Sequence, residues 1–170
     1  MNVDLYIVGT SHPLQCGSSE CTSSHIQAFD AEIRRICATL KIKRIAEEMT
    51  KDGLSHYKAA ETIGHHVARE INVVYQMVDL SVNERGGLSL DDSAVITTVQ
   101  RWRICDGGPF REAFDDLVDG IRERVWIARL LSEKEWPTLF ICGSDHTISV
   151  RRLCRGLGIG ARVIHRDYEP

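Results

Sequence analysis

The sequence lacks most of the short motifs that would assign it at once. There is no Gly-x-x-x-x-Gly-Lys-Ser/Thr phosphate loop, no Gly-x-Gly-x-x-Gly after the first apolar run, no Gly-x-Ser-x-Gly elbow and no His-Glu-x-x-His. These absences remove the usual nucleotide cradles, the serine-hydrolase turn and the zinc-protease helix from consideration. No stretch approaches the ~20 apolar residues of a membrane helix. No basic region precedes the first apolar run, so no secretory leader is expected and a cytoplasmic home is. Basic excess is also missing. The net charge is -3 and the pI near 6.2, which gives no reason to expect a nucleic-acid partner. The six cysteines contain no Cys-x-x-Cys. Cys37, Cys142 and Cys154 lie in apolar patterns, as small hydrophobes do. Cys16 and Cys21 sit in a Gly/Ser-rich stretch, where pairing or metal binding is the minor alternative to free thiols.

What remains is an ordinary globular balance. Apolar residues make up 43% and charged residues 26% of 170 positions. That length suits a single α/β domain over 1–170. Leu5–Val8 is a short apolar run halted by Gly9, which predicts a buried strand. Ser11–Ser24 reads as a loop. From His25 to Leu40 the apolar residues recur at helical spacing, with Ser23 or Ser24 as N-cap. Residues 43–49 predict a second strand, Ala59–Ile71 a second helix, and Val73–Val78 a third strand. Asn83–Gly87 reads as a Gly-rich turn. Val95–Ile104 fits either a helix or an added strand. Pro109–Leu131 predicts the longest helix, its core stripe being Phe110, Phe114, Leu117, Ile121, Val125, Ala128 and Leu131. Thr138–Cys142 predicts a fourth strand, Ile148–Leu157 a helix stopped by Gly158 and Gly160, and Ala161–Ile164 a last strand. Alternation of strands and helices, with continuous apolar strands, implies an α/β fold. Its expected core is a mostly parallel sheet of about five strands covered by helices on both faces.

In an open α/β sheet, ligands bind beyond the carboxyl ends of the strands. That rule selects Gly9 and His12 after the first strand, Glu47 and Glu48 after the second, and Asp79 with Arg85 after the third. After the fourth it selects Gly143, Asp145 and His146. Two Gly-x-x-His elements, Gly9-Thr10-Ser11-His12 and Gly143-Ser144-Asp145-His146, thus occupy equivalent places. The glycines let the chain turn and a ligand approach the backbone. Histidine and carboxylate together suit a divalent metal ion, with His12, His146 and Glu47 as ligands, or acid–base catalysis near neutral pH. Neighbours on a strand face opposite sides, so only one of Glu47 and Glu48 enters a given site and the other is expected in solvent. Asp79 and Asp145 also have the plain role of capping the turn or helix after them. On the long helix Arg124 is the candidate to reach the cluster or hold an oxyanion. His65 and His66 read as helix surface, and His25, His56 and His165 show no partner pattern.

The motif order resembles the Tiki/TraB, erythromycin-esterase and ChaN-like group. The resemblance rests on Ile7-Val8-Gly9-Thr10-Ser11-His12, on Ile45-Ala46-Glu47-Glu48, on Glu123-Arg124-Val125-Trp126, and on Phe140-Ile141-Cys142-Gly143-Ser144-Asp145-His146. It implies an α/β hydrolase with these histidines, a Glu and an Arg at its centre. The group also contains metal-dependent peptidases and haem binders. The leading expectation is therefore a metal-dependent or His/Glu-based hydrolase of a small molecule or of a peptide or ester bond. The alternative is a non-catalytic small-ligand or haem-binding module using the same pocket. A third reading, nucleotide sensing, rests on backbone amides of the Arg85-Gly86-Gly87 turn. A homodimer is compatible with the composition, and a membrane partner is not expected.

Overall fold

The computed structural model describes residues 4–88, 90 and 108–170. The predicted Val95–Ile104 element, Cys105 and the side chain of Phe110 lie outside the described residues. The strands are β1 (Leu5–Thr10), β2 (Arg44–Glu47), β3 (Val74–Met77), β4 (Thr138–Gly143) and β5 (Ala161–His165). They form one five-stranded sheet in the order β3-β2-β4-β1-β5, every pair parallel. The helices are α1 (His12–Gln15), α2 (Ser23–Leu40), α3 (Lys51–His56), α4 (Ile63–Glu70), α5 (Val82–Gly87), α6 (Gly108–Ser132) and α7 (Thr147–Gly156).

Parallel strands need crossovers, and the helices of those crossovers cover the sheet. On one face, Phe29, Ile33 and Ile36 of α2 and Val67 and Ala68 of α4 pack on Val8, Ile45, Leu139 and Ile141. On the other, Trp126, Ile127 and Leu130 of α6 and Val150 and Cys154 of α7 pack on Ile7, Ala46, Phe140 and Cys142. The strand residues alternate strictly between these two cores, because successive side chains of a strand point to opposite faces. That parity decides where everything at the carboxyl ends points.

Several local expectations are corrected. The 11–24 stretch holds a helical turn, α1, because Ser11 caps it by accepting from the Leu14 N–H and Pro13 suits its first turn. The cap of α2 is Thr22, whose hydroxyl accepts from the His25 N–H. The supposed turn at 83–87 is α5, started by a reciprocal capping box between Ser81 and Glu84. Its amides therefore belong to a helix. Helix α3, capped by Thr50, was not anticipated.

The largest correction concerns α6. Leu117, Ala128 and Leu131 of the expected core stripe are exposed, while Glu123, Trp126, Ile127 and Leu130 face the sheet. The inward face carries Asp119, Arg122 and Glu123, which a hydrophobic pattern counts as surface. Arg44 likewise breaks the pattern. It is fully buried on β2 and donates to Thr138 Oγ1 (3.0 Å), Gln76 Oε1 (3.0 Å) and the Leu130 carbonyl (2.8 Å). The last of these satisfies a carbonyl near the carboxyl end of α6, where a cation is favoured.

Candidate functional site

All five strands run the same way, so β1, β2, β3 and β4 deliver their following residues to one edge. Glu48 follows β2 with the parity of Ala46 and so turns toward α6. Its side chain is 1% exposed. The Gly143 N–H donates to Glu48 Oε2 (2.8 Å), and Arg122 Nη2 donates to Oε1 (2.6 Å). His12 Nε2 and His146 Nε2 approach that same Oε1 from β1 and β4, at 3.7 and 3.6 Å. Both distances are too long for direct hydrogen bonds and suit a polar atom held between the groups.

The cleft is about 350 Å³, lined by His12, Glu48, Thr50, Asp79, Arg85 and His146 among others. This lies within the common range of small-molecule sites. A Cβ on Gly143 would lie 3.4 Å from Glu48 Oε2, 3.4 Å from His146 Cδ2 and 3.5 Å from His12 Cε1. The missing side chain is therefore part of the cleft floor. Gly9 does something different. A Cβ there would stand 2.1 Å from the Arg166 carbonyl oxygen and 2.4 Å from Thr147 Cγ2, so Gly9 permits close packing of the chain.

His146 is held from behind. Its Nδ1 lies 2.9 Å from Glu123 Oε1, and Ser149 Oγ donates to the same oxygen. With Nδ1–H donating to the carboxylate, Nε2 is left with its lone pair toward the cleft. Burial alone would lower the His146 pKa. The hydrogen bond to Glu123 and the charges of Glu48 and Asp119 outweigh it, so the imidazole titrates above its ordinary value of 6.5. The ring also stands edge-on to Trp126, with centroids 4.9 Å apart.

Arg122 organises the acidic wall. It donates to Asp79 through Nε (3.1 Å) and Nη2 (2.9 Å), to Glu48 through Nη2, and to Asp119 through Nη1 (2.9 Å). Asp79 also accepts from Trp126 Nε1 (2.8 Å) and Arg85 Nη2 (2.6 Å). Burial opposes its ionisation, yet Arg122, Trp126 and Arg85 hold its carboxyl below the ordinary value.

Of the expected residues, His12, Glu48, Asp79, Arg85, Gly143 and His146 therefore meet around one cleft. Arg124 does not: it is exposed and donates to the Gly120 carbonyl one turn back. Asp145 is exposed and caps neither the 3₁₀ turn Ser144–His146 nor α7. Arg122 and Glu123, two positions and one position before Arg124, make the contacts expected of the helix. Helical spacing to Trp126 puts Asp119, Arg122 and Glu123 on the face of a large buried aromatic, and that was the available signal.

Glu47 takes the parity of Ile45 and is fully buried under α4, not solvated. Thr62 Oγ1 and Tyr75 Oη (2.7 Å) donate to its Oε2. Its Oε1 has no partner and lies 2.6 Å from where a Cβ of Gly64 would be. Burial pushes its carboxyl up to about 7, against the lowering by Thr62 and Tyr75. The His65 ring stacks on Tyr75 at 4.2 Å, and His165 Nε2 lies 2.6 Å from Glu32 Oε1, so neither is plain surface. Cys16 and Cys21 are free thiols, and burial pushes the Cys16 thiol up to about 12.

Among the described residues, no group of three His, Cys, Asp or Glu side chains is arranged to hold a metal ion. Glu47 lies on the face opposite the two histidines. The Glu48 oxygen facing them already accepts from the guanidinium of Arg122. No helix among the described residues is long and apolar enough to cross a membrane. No protein-family model matches the chain, nor does a curated protein or a solved structure.

Proposed function

We propose that the chain is a hydrolase of small-molecule ester or amide bonds, with His146 as the general base. The observation that carries this is the Glu123–His146 pair. A buried carboxylate fixes the Nδ1 side of the ring, and Nε2 faces a cleft containing a second histidine and a clamped carboxylate. A water between Nε2 of His146, Nε2 of His12 and Glu48 Oε1 would be oriented by all three. His146 removes its proton, the oxygen attacks the acyl carbon, and the carbonyl oxygen gains negative charge. The proton on His146 then passes to the leaving oxygen or nitrogen as the acyl bond breaks, which restores the neutral imidazole. Arg85 reaches the cleft with a partly exposed side chain and is the cation that can meet a negatively charged substrate group.

This reading gives the water to His146 instead of a divalent ion, because Arg122 already compensates Glu48. The order of the two Gly-x-x-His elements, resembling the erythromycin-esterase and Tiki/TraB group, also supports hydrolysis. The test is a panel of chromogenic acyl esters and anilides run with the wild-type chain and with His146→Ala and His12→Ala. His146→Ala should reduce kcat/KM by about 10²–10⁴ on any substrate turned over. Activity unchanged in both variants would overturn the reading.

A further inference from the structure

Helix α6 is apolar on two faces. Trp126, Ile127 and Leu130 are buried on the sheet, but Leu117 is 57% exposed and Leu131 47% exposed. Ala128 lies on the same outer stripe and is exposed. Beside it, α7 is followed by its C-cap Leu157, which is 61% exposed. Between the two helices runs an open groove of about 660 Å³, its floor formed by Ile127, Ala128 and Leu153. Gly156 contributes no side chain, and a Cβ there would meet nothing within 4 Å, so a backbone can come close. Contiguous apolar surface rimmed by polar groups marks an interaction site.

The rim is of one sign. Arg124 and Arg152 line the groove from α6 and α7, with Arg151 and Arg155 next to Arg152 on α7. Six other arginines, Arg34, Arg35, Arg69, Arg85, Arg122 and Arg129, each meet a carboxylate, while among the described residues Arg44, Arg162 and Arg166 are in no ion pair. Arg124, Arg151, Arg152 and Arg155 meet none among the described residues. Arg122 and Arg124 lie two positions apart on one helix, yet only the one facing inward is neutralised. In a chain of net charge -3, Arg124 and Arg152, two cations lining one apolar groove without a carboxylate partner among the described residues, form a local complement to negative charge.

We propose that the α6–α7 groove is the docking seat for an acidic amphipathic helix of another protein. The outer stripe of α6 from Leu117 to Leu131 spans about 21 Å at 1.5 Å per residue, about four helical turns, and the groove takes up its Glu123–Leu131 part. A helix laid there would place an apolar stripe on Ile127, Ala128, Leu131 and Leu153, and its flanking Asp or Glu against Arg124 and Arg152. A second copy of this chain fits worse, because a face-to-face pair would set the same arginines against each other. The groove's inner wall includes Glu123, so a docked helix would sit against the residue that holds His146. The docking itself does not depend on what His146 catalyses.

The experiment uses the full chain and a labelled synthetic helix of about fourteen residues, Leu on one stripe and Glu on its flanks, followed by fluorescence anisotropy. Saturable binding is expected. Arg124→Glu combined with Arg152→Glu should weaken it at least tenfold, as should Leu131→Asp alone. All three positions are surface residues, and circular dichroism checks that the variants fold. His146→Ala should bind the peptide like wild type even if it is inactive, which separates this proposal from the catalytic one. Equal binding of a Lys-for-Glu peptide or a scrambled one, or variants that bind like wild type, would overturn it. So would Arg152-dependent capture on phosphatidylglycerol vesicles that the peptide does not displace, or a dimer in sedimentation that Leu131→Asp dissolves.

Discussion

Replacing Glu47 by glutamine should change how stability depends on pH. The carboxyl is fully buried, and burial raises it from an ordinary 4.5 to about 7. Between those values the folded chain keeps a proton that the unfolded chain has released. Stability must therefore fall as pH rises through this window, and the loss is complete above pH 7, where both states are ionised. At about 1.4 kcal/mol per pH unit, the loss is about 3 kcal/mol, a sizeable part of a typical domain's stability. Glutamine can still accept from Thr62 and Tyr75 and carries no charge at any pH. Its amide beside Gly64 adds a cost that does not vary with pH, so the informative quantity is the slope. Urea unfolding of wild type and Glu47→Gln from pH 4.5 to 8.5 should show the difference between them shifting by about 3 kcal/mol in favour of the variant. His146, with its raised pKa, also withdraws stability as pH rises, but it does so in both proteins and cancels. A difference that stays flat, or moves toward wild type, would refute the assignment of Glu47 as a buried and uncompensated carboxyl.

The site makes further predictions. Because His146 works as a base only when neutral and titrates above its ordinary value, the rate should rise with pH through a midpoint above 6.5. Glu123→Gln removes the carboxylate hydrogen bond that helps to raise it, so a pH–rate profile of that variant should have its midpoint at lower pH, a shift that loss of packing alone would not produce. Arg122→Ala leaves Glu48 as a buried carboxylate without its cation and Asp79 with Arg85 alone, and should cost about 3–5 kcal/mol in denaturant unfolding. Arg124→Ala, at the surface, should stay within about 0.5 kcal/mol of wild type. Gly9→Ala drives a Cβ into the Arg166 carbonyl and should lower Tm sharply, whereas Gly143→Ala should fold and lose activity by filling the cleft floor. A chelator should leave hydrolysis unchanged; activity abolished by chelation and restored by a divalent ion would return the water to a metal.

Much of the site was legible because sheet topology constrains it. Once the strands are parallel, residues after β1, β2, β3 and β4 must share an edge, so His12, Glu48, Asp79 and His146 could be listed from the chain. The alternation rule also stated that only one of Glu47 and Glu48 would enter. It could not say which, because parity is set by which face the neighbouring Ile45 and Ala46 present to which helix layer. Arg122 and Glu123 were passed over for Arg124 for a related reason. Charged residues lower the apparent hydrophobicity of a helix face, so the face that packs on the sheet and carries the chemistry looked like surface.

The sequence by itself determined the order of the five strands and of the four helices α2, α4, α6 and α7 that cover them, the parallel sheet and the two glycine-marked strand ends, since these follow from local periodicity and turn chemistry. Only the tertiary structure decided how α6 is rotated about its axis. That rotation places Glu123 behind His146 and Arg122 on Glu48, and it turns the stripe of Leu117, Ala128 and Leu131 outward. A helix with two apolar faces has two acceptable rotations by its own pattern. The choice between them comes from packing Trp126, Ile127 and Leu130 against the sheet while burying Arg122 and Glu123 only where partners wait for them.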